Sequence, residues 1–314
     1  MNIRLLIDKL KLSLQKRTGM AQKKGGRCYA AWAAKGHIKQ PLVSFVVQSH
    51  DKSLQVCSFL PQLRAFPDSE IIVIDDGSGL EHTQRLAEAL TGANEFLVRA
   101  NDLYENITYD KCLRFCNGRY VALLQDDDKI PGTEWAERAV SLFRQHPDMA
   151  ILGGCDGRRV RFCLKESVDE ATSNQTAEVS NRRSVDSSAS PAPEKSYTSE
   201  EMSQGDFCFV MSVNRAPMWI NRELYQQHLH HIDYRFAPFQ SDDYELCMRA
   251  WTLGLKVGWY RLHFESLSVG GMRLYNNAFT KEMTKRNSLL LYDLYADKEE
   301  EIMKRVEEAN KRMN

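Results

Sequence analysis

The chain has 314 residues, and its 42 Lys and Arg balance its 42 Asp and Glu. That length can bury a substantial core, and zero net charge gives no bulk field that would recommend nucleic acid as a partner. The eight cysteines (28, 57, 112, 116, 155, 163, 208 and 247) include no Cys-x-x-Cys pair, so they read as reduced thiols of a cytoplasmic protein rather than a zinc site or disulfide framework.

No window approaches the run of about 18 apolar residues that a membrane span needs, and the first 30 residues show no signal-peptide core. Without a secretory signal, the sequons at Asn106 and Asn174 carry little meaning.

Residues 1–40 hold ten Lys or Arg against one acidic residue, Asp8. Ile3, Leu6, Ile7, Leu10 and Leu14 follow helical spacing among Lys9, Lys11, Lys16 and Arg17, which predicts a basic amphipathic helix. Such a helix either docks peripherally on an anionic membrane surface or packs on the domain as a leader.

Pro41 opens the globular part. Leu42 to Gln48 is a nearly continuous apolar run rich in β-branched residues, the pattern of a strand buried on both faces. A helix is predicted over 54–66, interrupted or restarted near Pro61. Glu70 to Ile74 forms the next strand and runs into Asp75-Asp76-Gly77-Ser78, followed by a helix over 81–91. A weaker strand follows at 96–99, a helix at 110–116 and a strong strand at 120–124. A helix at 135–145 then precedes a strand at 149–153. This alternation predicts an α/β fold with a mostly parallel, Rossmann-like central sheet, flanking helices and right-handed crossovers.

The strand at 120–124 ends in Asp126, Asp127 and Asp128. Crowded carboxylates raise one another's pKa and stay ionised together when a cation faces them. Oxygen ligands suit Mg²⁺ or Mn²⁺, and Mg²⁺ binds through one or two carboxylates with substrate phosphates completing its shell. A nucleotide diphosphate is the implied ligand; the competing reading is a solvated acidic turn. Ligands of open α/β sheets sit beyond the carboxyl ends of the strands, so the clusters at Asp75-Asp76 and Asp126–Asp128 are expected to converge on one crevice. Cys112 and Cys116 share a helix face without His or further Cys nearby, as packing residues would.

Residues 166–204, with ten serines, Pro191 and Pro193, cannot bury enough apolar surface to offset ordering entropy and read as a disordered insertion. Strand-like composition resumes at Phe207. Ser241 is then the expected cap of a helix that carries Asp242, Asp243 and Glu245 in its first turn, where the helix dipole favours them, and that ends at Gly254. A carboxylate held there could act as a general base. Residues 281–314 have the composition and alternating charge of a helical extension.

Taken together, the apolar strand Val43–His50, Asp75-Asp76-Gly77-Ser78, the triplet Asp126–Asp128 before Pro131, and Asp242-Asp243-Tyr244-Glu245-Leu246-Cys247-Met248-Arg249 resemble the family 2 glycosyltransferases of the GT-A fold over about residues 41–270, within a domain expected to span 41–280. The resemblance implies one GT-A domain. It places Asp75 and Asp76 at the donor's base, with Ser49 and Asp126 also on the donor. It places Mn²⁺ or Mg²⁺ on Asp126, Asp127 and Asp128, with His263 as a further ligand, and makes Asp243 the catalytic base.

The implied reaction is inverting, metal-dependent transfer of a sugar from a nucleotide-diphosphate donor, with UDP the expected nucleotide. The acceptor is a hydroxyl of a glycan, glycoprotein or glycolipid. Gln125 stands where the family usually has Asp, and Asp242 where it usually has Glu, so which triplet member binds metal stays open. The Gln-x-x-Arg-Trp motif of processive synthases is absent, which points to non-processive transfer. Arg273 and Lys281 are candidate phosphate contacts, and His50, Tyr104, Trp219 and Trp251 are candidates for the pocket or the core. The alternatives are a nucleotidyltransferase of similar fold and a catalytically silent carbohydrate- or nucleotide-binding protein.

Overall fold

The computed structural model describes residues 3–18, 30, 34, 36–154, 164–165, 168–169, 206–215, 217–262, 265–266 and 278–313. The expected insertion at 166–204 lies almost wholly outside these residues, as do His263, Arg273 and Asn174.

An eight-stranded sheet forms the centre. Its strands are β1 (Val43–Ser49), β2 (Ser69–Asp76), β3 (Glu95–Ala100), β4 (Tyr120–Gln125), β6 (Met149–Gly153), β7 (Phe207–Phe209), β8 (Met218–Asn221) and β9 (Lys256–Tyr260). They lie in the order β3-β2-β1-β4-β8-β6-β9-β7, and a small separate pair joins β5 (Asp128–Lys129) to β10 (Glu265–Ser266). The β1, β2, β3 and β4 ladders are parallel, as is β6 with β9; β8 runs antiparallel to both β4 and β6, and β7 antiparallel to β9. The expected mostly parallel α/β sheet is therefore present. β1, β2 and β4 are buried along nearly their whole length, which is why their sequences lack in-out alternation.

The chain leaves β1 toward β2 and β3, then returns to the other side of β1 as β4. Strand order thus reverses between β1 and β4, and the carboxyl ends of these two strands flank the crevice where such sheets place ligands. A cavity of about 320 Å³ lined in part by Arg119, Tyr120 and Asn221 lies at the opposite end, since Tyr120 opens β4 and Asn221 closes the antiparallel β8.

Helices α2 (Ser53–Ala65), α3 (Leu80–Ala89), α4 (Tyr104–Phe115), α5 (Glu134–Gln145) and α6 (Asp242–Thr252) flank the sheet; α1 (Ile3–Thr18) precedes it, and α7 (Ala278–Tyr295) and α8 (Glu299–Lys311) follow. Helix α2 runs through Pro61 rather than stopping there. Helix α4 begins six residues before the expected 110 because its first amides, Leu103 and Tyr104 N–H, donate to the Asp76 carboxylate at 2.9 and 2.8 Å. That cap comes from another strand and leaves no mark in the local sequence. Phe45, Trp135 and Trp219 form an aromatic cluster with centroids 5.1 to 6.3 Å apart. Trp219 and Trp251 are buried in the core, which settles them as packing residues. Gly118 lets the turn before β4 approach β1: a Cβ there would lie 2.3 Å from the Ser44 amide nitrogen.

The C-terminal extension consists of the two helices α7 and α8. Asn287, fully buried on α7, donates to the carbonyls of Phe236, Phe239 and Gln240. Asn310 on α8 bonds both the amide and the carbonyl of Phe209. The extension therefore packs on the domain and holds the loop that leads into α6. Helix α1 does form, and Ile3, Leu6, Leu10 and Leu14 on it are exposed. Among the described residues no helix is long and apolar enough to cross a membrane.

Candidate active site

Three strand ends meet at the reversal point. His50, just past β1, donates its backbone N–H to Asp126 Oδ2 at 2.9 Å and contacts the Asp76 carbonyl through Nδ1 at 2.7 Å. The bond to that carbonyl raises the imidazole pKa, because the charged ring is the stronger donor to it. One residue thus ties the ends of β1, β2 and β4 together.

The two acidic clusters are used differently. Asp75 and Asp76 are buried, and their oxygens are occupied by the protein itself. Asp75 accepts from Ser78 N, Thr83 Oγ1 and Arg99 Nη1; Asp76 accepts from Gln48 Nε2 and the amides that open α4. These carboxylates build the loop around the crevice.

In the triplet, Asp126 Oδ1 lies 3.2 Å and Asp127 Oδ2 lies 3.9 Å from Lys52 Nζ, so both face one cation. Burial raises the Asp126 pKa, partly offset by that ammonium. Asp128 turns away: its Oδ2 accepts the Gln125 amide, and it pairs in β5 with Ser266. Burial pushes its carboxyl up to about 7, and the neighbouring Asp127 and Asp126 add to the shift.

Among the described residues no group of three or more acidic, His or Cys side chains is arranged to hold a metal ion. Asp126 and Asp127 fit the two-carboxylate arrangement in which substrate phosphates supply further oxygens. A cationic group already sits between them, so the donor set suits a divalent ion. Ser49 Oγ, at the end of β1, is buried without a hydrogen-bond partner.

Helix α6 brings the third group of carboxylates. Ser241 stands at its N-cap position but adopts φ of 65° and makes no side-chain cap bond, contrary to the expected cap. Gly254, with φ of 79°, ends the helix as expected, and Leu255 N bonds back to the Ala250 carbonyl. Asp242 is buried against Arg215 and also accepts from Asn106 Nδ2. Glu245 is buried against Arg249 and the Tyr295 hydroxyl. Asp243 alone of the three is partly exposed; its Oδ1 accepts the Tyr244 amide. Desolvation pushes its pKa up to about 6, Arg215 opposes that shift and Asp242 reinforces it. A carboxylate with that pKa is ionised at neutral pH yet basic enough to take a proton.

Arg215 and Tyr109 connect the two halves. Tyr109 is fully buried, bonds the Leu124 carbonyl at 2.8 Å just before the triplet, and carries the Arg215 guanidinium over its ring at 5.2 Å. Arg215 also reaches Glu105 at 3.4 Å. Neither residue stood out in the sequence, where a lone Arg and a helical Tyr have no motif. Asn106 is fully buried, so its sequon cannot serve as a glycan acceptor. Asp51, Asp102, Tyr104, Gln240 and Ser241 all have φ between 54° and 78°, and such strained non-glycine residues gather at functional sites. Tyr104 packs on Phe239 at 5.7 Å between ring centroids, next to the same crevice.

Residues 55–187 match the profile of the family described as Glycosyl transferase family 2. The match takes in β2 and the acidic triplet and ends before α6. No curated protein sequence matches the chain. Among solved structures, a Mannosyltransferase PcManGT from Pyrobaculum calidifontis in complex with GDP-Man and Mn2+ superposes with a TM-score of 0.50 at 11% identity, covering 88% of this chain and 75% of that one. S. aureus TarS 1-349 gives a TM-score of 0.45 at 13% identity, and its complex with UDP-GlcNAc 0.47 at 14%. These cover 70% and 81% of this chain; the chain spans 57% of the first and 73% of the second.

Proposed function

We propose that this chain, whose residues 55–187 belong to glycosyl transferase family 2 on a GT-A fold, moves one sugar from a nucleotide diphosphate to an acceptor hydroxyl with inversion, Asp243 acting as base. The observation that carries this reading is the arrangement at the strand reversal. Asp126 and Asp127 face one cation position, and Tyr109 with Arg215 links that position to the helix that opens with Asp242-Asp243.

In the reaction Asp243 accepts the hydroxyl proton while the acceptor oxygen bonds to the anomeric carbon and the bond to the diphosphate oxygen breaks, through a transition state with oxocarbenium character. A divalent cation held by Asp126 and Asp127 would neutralise charge growing on the leaving diphosphate. Asp242, locked on Arg215, fixes the first turn of α6 and so the direction of Asp243. The loop built by Asp75 and Asp76 shapes the side of the crevice assigned to the nucleotide base. A nucleotide-diphosphate sugar is the donor class in this reading: PcManGT, which shares the fold, is described with GDP-Man, and UDP is the nucleotide that the sequence resemblance implies. The acceptor is a glycan, glycoprotein or glycolipid.

Thermal melts over a panel of UDP-, GDP- and dTDP-sugars with Mn²⁺ test the donor class. One donor is expected to raise the melting temperature in a Mn²⁺-dependent way and to be consumed when acceptor is added. Mn²⁺-dependent stabilisation without turnover for any acceptor would favour a silent binding protein.

The leading helix belongs to the same proposal, as a peripheral contact from the cytoplasmic side. Its exposed Ile3, Leu6, Leu10 and Leu14 and the excess of Lys and Arg suit an anionic lipid surface. Co-sedimentation with phosphatidylglycerol vesicles is expected, with none on phosphatidylcholine and loss on Leu6→Ser with Leu10→Ser. Equal binding by that double variant would refute the contact.

A further inference from the structure

The acidic site of this chain contains a cation of its own making. Lys52 sits in the turn between β1 and α2, immediately after Asp51 in its left-handed conformation. Its ammonium reaches across the strand reversal to Asp126 and Asp127, residues more than 70 positions away, at 3.2 and 3.9 Å. The contact is not a loose surface pair: the three side chains are 19%, 14% and 12% exposed. Ions held this far from solvent are weakly screened by salt, and removing one partner leaves the others uncompensated. Two cations cannot occupy one position between the same carboxylates. Any divalent ion bound by Asp126 and Asp127 must therefore move the Lys52 ammonium.

We propose that Lys52 is a resident counter-ion of the cation site, displaced when metal and donor bind, and that its ammonium then pairs with the donor diphosphate. This rests on reading Asp126 and Asp127 as the cation ligands. The chemistry of lysine suits the exchange: a compact, strongly hydrated charge on a flexible four-carbon stem can swing between partners, which a guanidinium fork does less readily. Ser49, whose Oγ is buried without a partner, lies at the end of the strand that feeds this turn. Metal alone strands the ammonium away from its carboxylates, whereas metal with a nucleoside diphosphate offers it a new anion. Metal and nucleotide therefore bind in concert, each improving the other's affinity by the same factor.

Mn²⁺ titrations followed by electron paramagnetic resonance, with and without UDP or GDP, test the proposal on the wild-type chain, Lys52→Met and Lys52→Gln, each checked for folding by its circular-dichroism melt. Without nucleotide, both variants are expected to bind Mn²⁺ at least about tenfold tighter than wild type, because a competing charge has gone. The factor by which the nucleotide tightens Mn²⁺ binding is expected to fall at least about threefold. Asp126→Asn with Asp127→Asn serves as the control for the cation site. If the control loses Mn²⁺ but the Lys52 variants bind it no tighter than wild type, the counter-ion proposal fails and the metal site stands. If no protein binds Mn²⁺ with either nucleotide, the metal reading fails and the proposal with it.

Discussion

Asp243→Asn is expected to lower the rate of sugar transfer by about 10²–10⁴-fold, the range a positioned general base supplies, while donor binding measured by thermal shift stays within about twofold of wild type. The choice of Asp243 over its neighbours follows from what each carboxylate already holds. Asp242 is committed to Arg215 and Asn106, and Glu245 to Arg249 and Tyr295. Asp243 is the partly exposed member of the three.

Its raised pKa of about 6 gives the prediction a pH signature. The base works only when ionised, so kcat/KM should be full above about pH 7 and fall tenfold per pH unit below about 5. A rate that does not change between pH 5 and 7, or an Asp243→Asn variant with more than a tenth of wild-type activity, would assign the proton to another group.

Arg215→Leu carries the largest expected cost to stability, about 3–5 kcal/mol, because it leaves the Asp242 charge buried without its partner. Arg215 is 5% exposed and Asp242 1%, so water cannot take over. Glu105 and the Tyr109 ring lose contacts as well. Replacing both members of the pair, as in Arg215→Leu with Asp242→Leu, removes the stranded charge and should recover at least about half of the loss, since buried ion pairs and well-packed apolar pairs differ little in net stability. Urea unfolding of the wild type, the two single variants and the double variant checks this. If the double variant is as unstable as the sum of the singles, the two side chains do not act as a pair.

Much of the architecture follows from local patterns. Val43 to Val47, Ile71 to Ile74 and Val121 to Leu124 are each apolar on both faces, and a run that short and that apolar fits only a strand inside a parallel sheet. Strand direction brings the carboxylates that end such runs to the rim of the crevice, and of these Asp126 and Asp127 face its cation position. The same reasoning misses β8, whose four residues carry no alternation and whose place between β4 and β6 depends on where a long excursion of the chain returns.

The acidic residues divide in the same way. Their types and their positions at strand and helix ends are local facts, and hydrophobic periodicity reports local burial, so the chain's α/β class, its sheet core and its candidate acids were legible in the sequence by itself. What each acid does depends on a partner supplied from elsewhere in the chain. Asp76 caps α4, Asp242 locks onto Arg215 from 27 residues earlier, and Lys52 faces Asp126 across the sheet. Periodicity carries no record of such pairings, because the energy of a charge is set by the atoms packed around it, and only the tertiary structure brings those atoms together.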